Sequence, residues 1–260
     1  MKVIEEPQLA VERKLPWIID VFVYPLSVSV LIHLVVFFVV PFLIGFIYRN
    51  ILSGGGPLAA VVSIGLYVLF IGYVFYYIAY CVVDSAKGGR RAPDISIYAA
   101  PGKGELVSQL LCVTGAVAVC FWPVGVYYIL TERVDRVFWL LSGYGIFFFP
   151  MALLRVLMFD SLDSLNPIVI VISIYRTFFT YLGLVLFFCV PGGLVYVMIS
   201  DVPQPQTLTQ TLLYVFIFLD YLCGAGFVCR LMVFIYSAIV GAHLLGCFYW
   251  WHKDELGWGL

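Results

Sequence analysis

Charge is what this sequence has least of. Its 260 residues hold 14 Lys and Arg and 15 Asp and Glu, or 11% charged, where a soluble domain carries roughly 25%. That shortage excludes a soluble globular fold. The formal net charge of −1 gives bulk electrostatics no bias toward nucleic acid. Metal and redox spacing is missing too. Seven cysteines (Cys81, Cys112, Cys120, Cys189, Cys223, Cys229, Cys247) are scattered without a CxxC pair, and they read as small lipid- or core-facing residues. No GxxxxGK[ST] accompanies Gly88-Gly89, so there is no phosphate loop. No serine, cysteine or carboxylate pair sits with a base in a hydrolytic or transfer pattern, so catalysis is not expected. Glu5 and Glu6 precede any apolar run and no small-residue cleavage site follows, which argues against a signal peptide. Lys253-Asp254-Glu255-Leu256 is followed by four residues and is no retention address.

What is present is apolar sequence: 63% of residues are hydrophobic, and the mean hydropathy is +1.06. Runs of 20 or more apolar residues match a hydrocarbon core of ~30 Å crossed as helix. Backbone polar groups in lipid must be satisfied internally, leaving helices or a closed barrel. Uninterrupted runs, not alternating strands, exclude the barrel. The chain is therefore expected to be an all-α polytopic bundle, one integral membrane domain over residues 1–260.

Six spans are predicted, near 26–48, 58–83, 106–130, 137–159, 177–199 and 227–248. The run Leu208–Phe248 holds 41 residues, ~61 Å as one helix, twice the core thickness. Gly224-Ala225-Gly226 is its natural break. A two-span hairpin there gives seven spans instead of six. Short pieces at Trp17–Tyr24, Pro93–Ala99 and Pro167–Tyr175 each precede a pair of spans and look interfacial. Ile95-Ser96-Ile97-Tyr98 recurs as Ile172-Ser173-Ile174-Tyr175, which suggests a parallel repeat.

Orientation follows from the polar loop Asp84–Glu105. With that loop and both termini in the cytoplasm, ten basic residues lie inside and four (Arg49, Arg133, Arg136, Arg230) lie at the outer end. That is the positive-inside bias. Lys87, Arg90, Arg91 and Lys103 orient the chain and are candidates for anionic headgroup contact, at roughly 1 kcal/mol per basic residue.

Few residues within the spans carry chemistry. His33 and His243 are predicted ~5 Å apart in depth from their distance to the span ends. Two facing histidines at one level are the pattern for an axially ligated haem or a metal, although no cofactor is expected. Asp220 and Arg230 lie ten residues apart. They meet only if the Gly224–Gly226 break closes a hairpin, where they would mark an intramembrane polar site. Ala238, Ala242 and Gly246 form an i, i+4, i+8 stripe for close helix packing, within the chain or against a partner. Pro41, Pro123, Pro150 and Pro191 interrupt four spans, a feature that permits transport without indicating it. Trp250, Trp251 and Trp258 beside charges form an interface anchor.

Three stretches carry a resemblance: Leu165-Asn166-Pro167 with Ile172-Ser173-Ile174-Tyr175-Arg176 and Tyr181; His243-Leu244-Leu245-Gly246-Cys247-Phe248-Tyr249-Trp250 with Leu256-Gly257-Trp258; and Gly89-Arg90-Arg91-Ala92-Pro93-Asp94. They resemble uncharacterised multi-span bacterial inner-membrane proteins, loosely of the Yip-domain type. The resemblance implies a helical bundle in a cytoplasmic membrane and supplies no substrate, cofactor or catalytic residue. The expected function is a non-catalytic membrane subunit or scaffold that contacts lipids and other membrane proteins. A small transporter or lipid-handling protein comes second, and a haem-binding redox subunit third.

Overall fold

The computed structural model describes residues 17–47, 56–89, 103–200 and 225–258. All regular elements among them are helical and no strand occurs there. In chain order they are α1 (Trp17–Val23), α2 (Val28–Ile47), α3 (Gly56–Ala86), α4 (Lys103–Thr131), α5 (Arg136–Phe159), α6 (Pro167–Arg176), α7 (Phe178–Ser200) and α8 (Ala225–Leu256). The all-α bundle expected from the apolar runs is the fold. Among the described residues five helices are long and apolar enough to cross a membrane, and a sixth is added if Pro167–Arg176 and Phe178–Cys189 count as one span.

That last pair is bent by 107°. The bend has a local cause. Asn166 caps α6 by accepting from Ile168 N at 3.0 Å, with Pro167 at the first helical position where its missing N–H costs nothing. Ten residues later α6 stops at Thr177, whose hydroxyl turns back to donate to Ser173 O at 2.9 Å. The short piece at Pro167–Tyr175 is thus a separate helix lying across the start of α7, and Trp17–Tyr24 also holds a short helix. Pro93–Ala99, the third member of the suspected repeat, lies outside the described residues, as do 201–224 and any hairpin within them. Of the expected break at Gly224–Gly226, Ala225 and Gly226 are helical in α8, and Gly224 lies outside the described residues.

α3 and α8 run side by side in the same direction, with Ser85 opposite both His243 and Gly246. α3 also packs on α2 and α4, while α7 lies against α8 and α5. Tyr77, Cys81, Val82, Ile235, Ile239 and Leu245 are buried along the central contact. On the other flank the Tyr181 hydroxyl donates to Phe147 O, tying α7 to α5.

Two helix ends differ from expectation. The basic loop was expected to begin at Asp84, yet α3 runs to Ala86. It ends in a Schellman motif, with Gly89 N bonded to Asp84 O at 3.0 Å and Gly88 N to Ser85 O at 3.1 Å. Gly88, at φ +88°, supplies the left-handed residue this motif needs. Polar residues alone do not stop a helix, and the glycine does. α8 likewise continues past Phe248 to Leu256, because nothing from Tyr249 to Glu255 breaks it. There Trp258 Nε1 donates to Ser173 Oγ at 3.0 Å and Arg176 Nη1 donates to Glu255 O at 3.1 Å. The end of the molecule where α3, α5 and α8 finish is called the basic end below.

At the opposite end α4 and α5 form an antiparallel hairpin. Asp135 caps α5 by accepting from Val137 N at 3.0 Å and Phe138 N at 3.1 Å, and it takes the Tyr127 hydroxyl at 2.6 Å. The Tyr127 hydrogen bond, with the α5 amides, holds this carboxyl below the usual carboxylate range. A depressed folded-state pKa stabilises above the unfolded value and is lost as pH falls through the folded one. Asp135→Ala is therefore expected to speed amide exchange at Val137 and Phe138 several-fold at pH 7. The same acceleration appears in the native chain only when the pH drops below the ordinary carboxylate range. Exchange that ignores both changes would rule out the cap as the hairpin's closure.

Candidate functional site

α3 presents Tyr73, Tyr77, Cys81 and Ser85 at successive four-residue steps, so all four project from one face. The last three are fully enclosed. Two histidines meet this ladder from different helices. His33, on α2, stacks on Tyr77 with ring centroids 4.3 Å apart at 19°. Its Nδ1 lies 2.7 Å from Ser29 O, a carbonyl that only accepts, so Nδ1 carries the proton. His243, on α8, sits 2.8 Å from Ser85 Oγ through Nδ1. Its ring stacks on Tyr24 at 3.9 Å and 12°. Cys247, one turn along α8, brings Sγ to 3.6 Å from His243 Nε2.

Tyr24 enters from the 3-10 turn Tyr24–Leu26 that joins α1 to α2. Burial pushes its phenol pKa up, so the group stays neutral. Its hydroxyl and Asp84 Oδ2 are both buried without a hydrogen-bond partner among the described residues. The cluster of Tyr24, Ser85, His243 and Cys247 thus joins the α1–α2 turn, α3 and α8 in one enclosed polar contact near the basic end.

This geometry revises the shared level expected for the histidines. Their partners on α3, Tyr77 and Ser85, are eight residues apart, ~12 Å along the helix. Each ring faces its own tyrosine. The expected level fails because the span ends are misplaced: α2 starts at Val28, and α8 runs on past the expected end at Phe248 to Leu256. Among the described residues no group of three or more His, Cys, Asp and Glu side chains is arranged to hold a metal.

The remaining candidates are placed unevenly. Gly246 of the small-residue stripe lies directly against α3, and Ala242 is buried with it, so the stripe serves contacts inside the chain. Lys87 is exposed in the turn after α3 and Lys103 opens α4. Arg90, Arg91 and Asp220 lie outside the described residues, and of Arg230 only its place in the first turns of α8 is described. Sequence reasoning passed over Tyr24, Ser85 and Cys247. The four-residue spacing of Tyr77, Cys81 and Ser85 was the signal that could have found Ser85.

Fold and site together define an all-α bundle of membrane-spanning type, with a polar ladder enclosed along one face of its central helix. No family model matches the chain, and no curated protein or solved structure matches it.

Proposed function

We propose that this chain is a non-catalytic integral membrane subunit or scaffold that packs laterally against other membrane proteins. The observation that supports this reading is the uncovered face of the α4–α5 hairpin. Trp122, Ile129, Leu130 and Leu140 are each 70–78% exposed there, whereas the polar side chains of α3 and α8 turn inward on one another. Large apolar side chains exposed in a membrane meet either lipid or a neighbouring helix, and aromatics buried on association are the usual anchors of protein contacts.

The basic end lies in the cytoplasm in this proposal. Lys87, Arg155, Arg176 and Lys253 sit at that end, and Arg133 and Arg136 at the other. A bacterial inner membrane and a Yip-like kinship belong to the same reading. A small transporter or lipid-handling protein is the second reading, favoured by the buried ladder of Tyr77, Cys81 and Ser85 with its two histidines. A haem-bearing redox subunit has lost its geometric basis with the ~12 Å separation along α3.

Photo-crosslinking residues at Trp122 and Leu140, combined with native mass in nanodiscs, test the proposal. The expected result is one stoichiometric partner protein captured from both positions. A lone chain, or copies of itself carrying only lipid, overturns it in favour of the second reading.

A further inference from the structure

Arg176 reaches the last turn of α8, and Arg155 reaches Trp258 just beyond it. Arg155, on α5, donates through Nε to Ser164 O, and its guanidinium lies 5.3 Å from the Phe159 ring and 5.5 Å from the Trp258 ring. Its Nη1 is buried with no acceptor among the described residues. Arg176, in the last turn of α6, donates from Nη1 to Glu255 O and is otherwise exposed. Trp258 is fixed by its bond to Ser173, and Arg176 Nη1 lies beside the adjoining Gly257.

Neither guanidinium has a carboxylate partner among the described residues. Arginine stays charged in proteins. A charge partly withdrawn from water needs an opposite charge, and ring faces offset it only in part. Lysine would be satisfied by a point contact, but the planar guanidinium fork matches the oxygens of a phosphate. Trp250, Trp251 and Trp258 cluster at this end, the side chains that settle at the headgroup level.

We propose that Arg155 and Arg176, which meet the segment Glu255–Trp258, form a binding site for a phosphate-bearing anion, either an anionic lipid headgroup or a free phosphate compound. The site stands whether or not the chain is a scaffold. Thermal unfolding of the full chain in neutral detergent tests it, with phosphatidylglycerol, phosphatidylcholine or inorganic phosphate added in parallel. Phosphatidylglycerol is expected to raise the Tm and phosphatidylcholine to leave it unchanged. Each arginine replaced by glutamine weakens the apparent affinity about fivefold, and both together ~30-fold. A rise with inorganic phosphate alone, lost in the same variants, supports the site and identifies the source as soluble.

Arg155→Lys keeps the charge without the fork and is expected to bind more weakly. If Arg155→Gln does not fold, Arg176→Gln carries the test from an exposed position. Lys253→Gln is the control, since Lys253 lies over the Trp250 ring at 4.6 Å, and it is expected to retain the effect. The proposal falls if phosphatidylcholine stabilises equally, if the double variant keeps its response, or if Lys253→Gln loses as much as Arg176→Gln.

Discussion

Gly246→Ala is expected to destabilise the protein by about 1–3 kcal/mol, and Gly246→Leu to separate α3 from α8. A β-carbon at Gly246 would fall against Ser85 Cβ, 2.5 Å from Val82 O and 2.8 Å from Ala86 N. Two of those three atoms are backbone within the last turns of a helix, so no rotamer change relieves the clash. The same-direction contact between α3 and α8 forms because position 246 has no side chain. The measurement is thermal unfolding in detergent, joined with disulfide trapping between cysteines placed on α3 and α8. Wild-type trapping efficiency in Gly246→Leu would show that the two helices do not depend on this approach.

His243→Ala is the second large effect, and its size separates packing from hydrogen bonding. The imidazole stacks on Tyr24 at 3.9 Å, a contact worth ~0.5–1.5 kcal/mol. Truncating a buried ring leaves a cavity, and Phe→Ala changes of this kind cost about 3–5 kcal/mol. Hydrogen bonds between membrane helices average only ~0.6 kcal/mol, with a maximum near ~1.7. Packing therefore dominates, and the expected loss for the smaller imidazole is about 3 kcal/mol. His243→Phe keeps the stack and forfeits the polar contacts to Ser85 and Cys247, so its expected cost is about 2 kcal/mol at most. Equal damage from Ala and Phe would instead show that the Ser85 contact carries the cluster.

The helical class was legible because lipid forbids the alternatives, and long apolar runs are local in sequence. α6 was legible for a similar reason: Asn166 and Pro167 mark its start within two residues. The end of α3 was not, because Asp84 and Ser85 are polar in composition yet compatible with helix, and only Gly88 stops the turn. The contacts of the site were hidden for another reason. Ser85 and His243 are 158 residues apart, and Trp258 meets Ser173 across 85. Periodicity predicts which face a residue occupies, not which distant face it meets. The histidine levels went astray because the last span was expected to end at Phe248, whereas nothing stops α8 before Leu256.

The 107° turn between α6 and α7 has a consequence for shape. If α7 stands across the bilayer, α6 lies nearly flat at one surface, with Ile168, Val171, Ile172 and Tyr175 uncovered. α6 then adds to the cross-section of the chain in the leaflet on that side. A helix seated in one leaflet in this way is sensitive to the bending stress of the bilayer. Membrane curvature becomes a variable that acts on the protein as temperature and pH do.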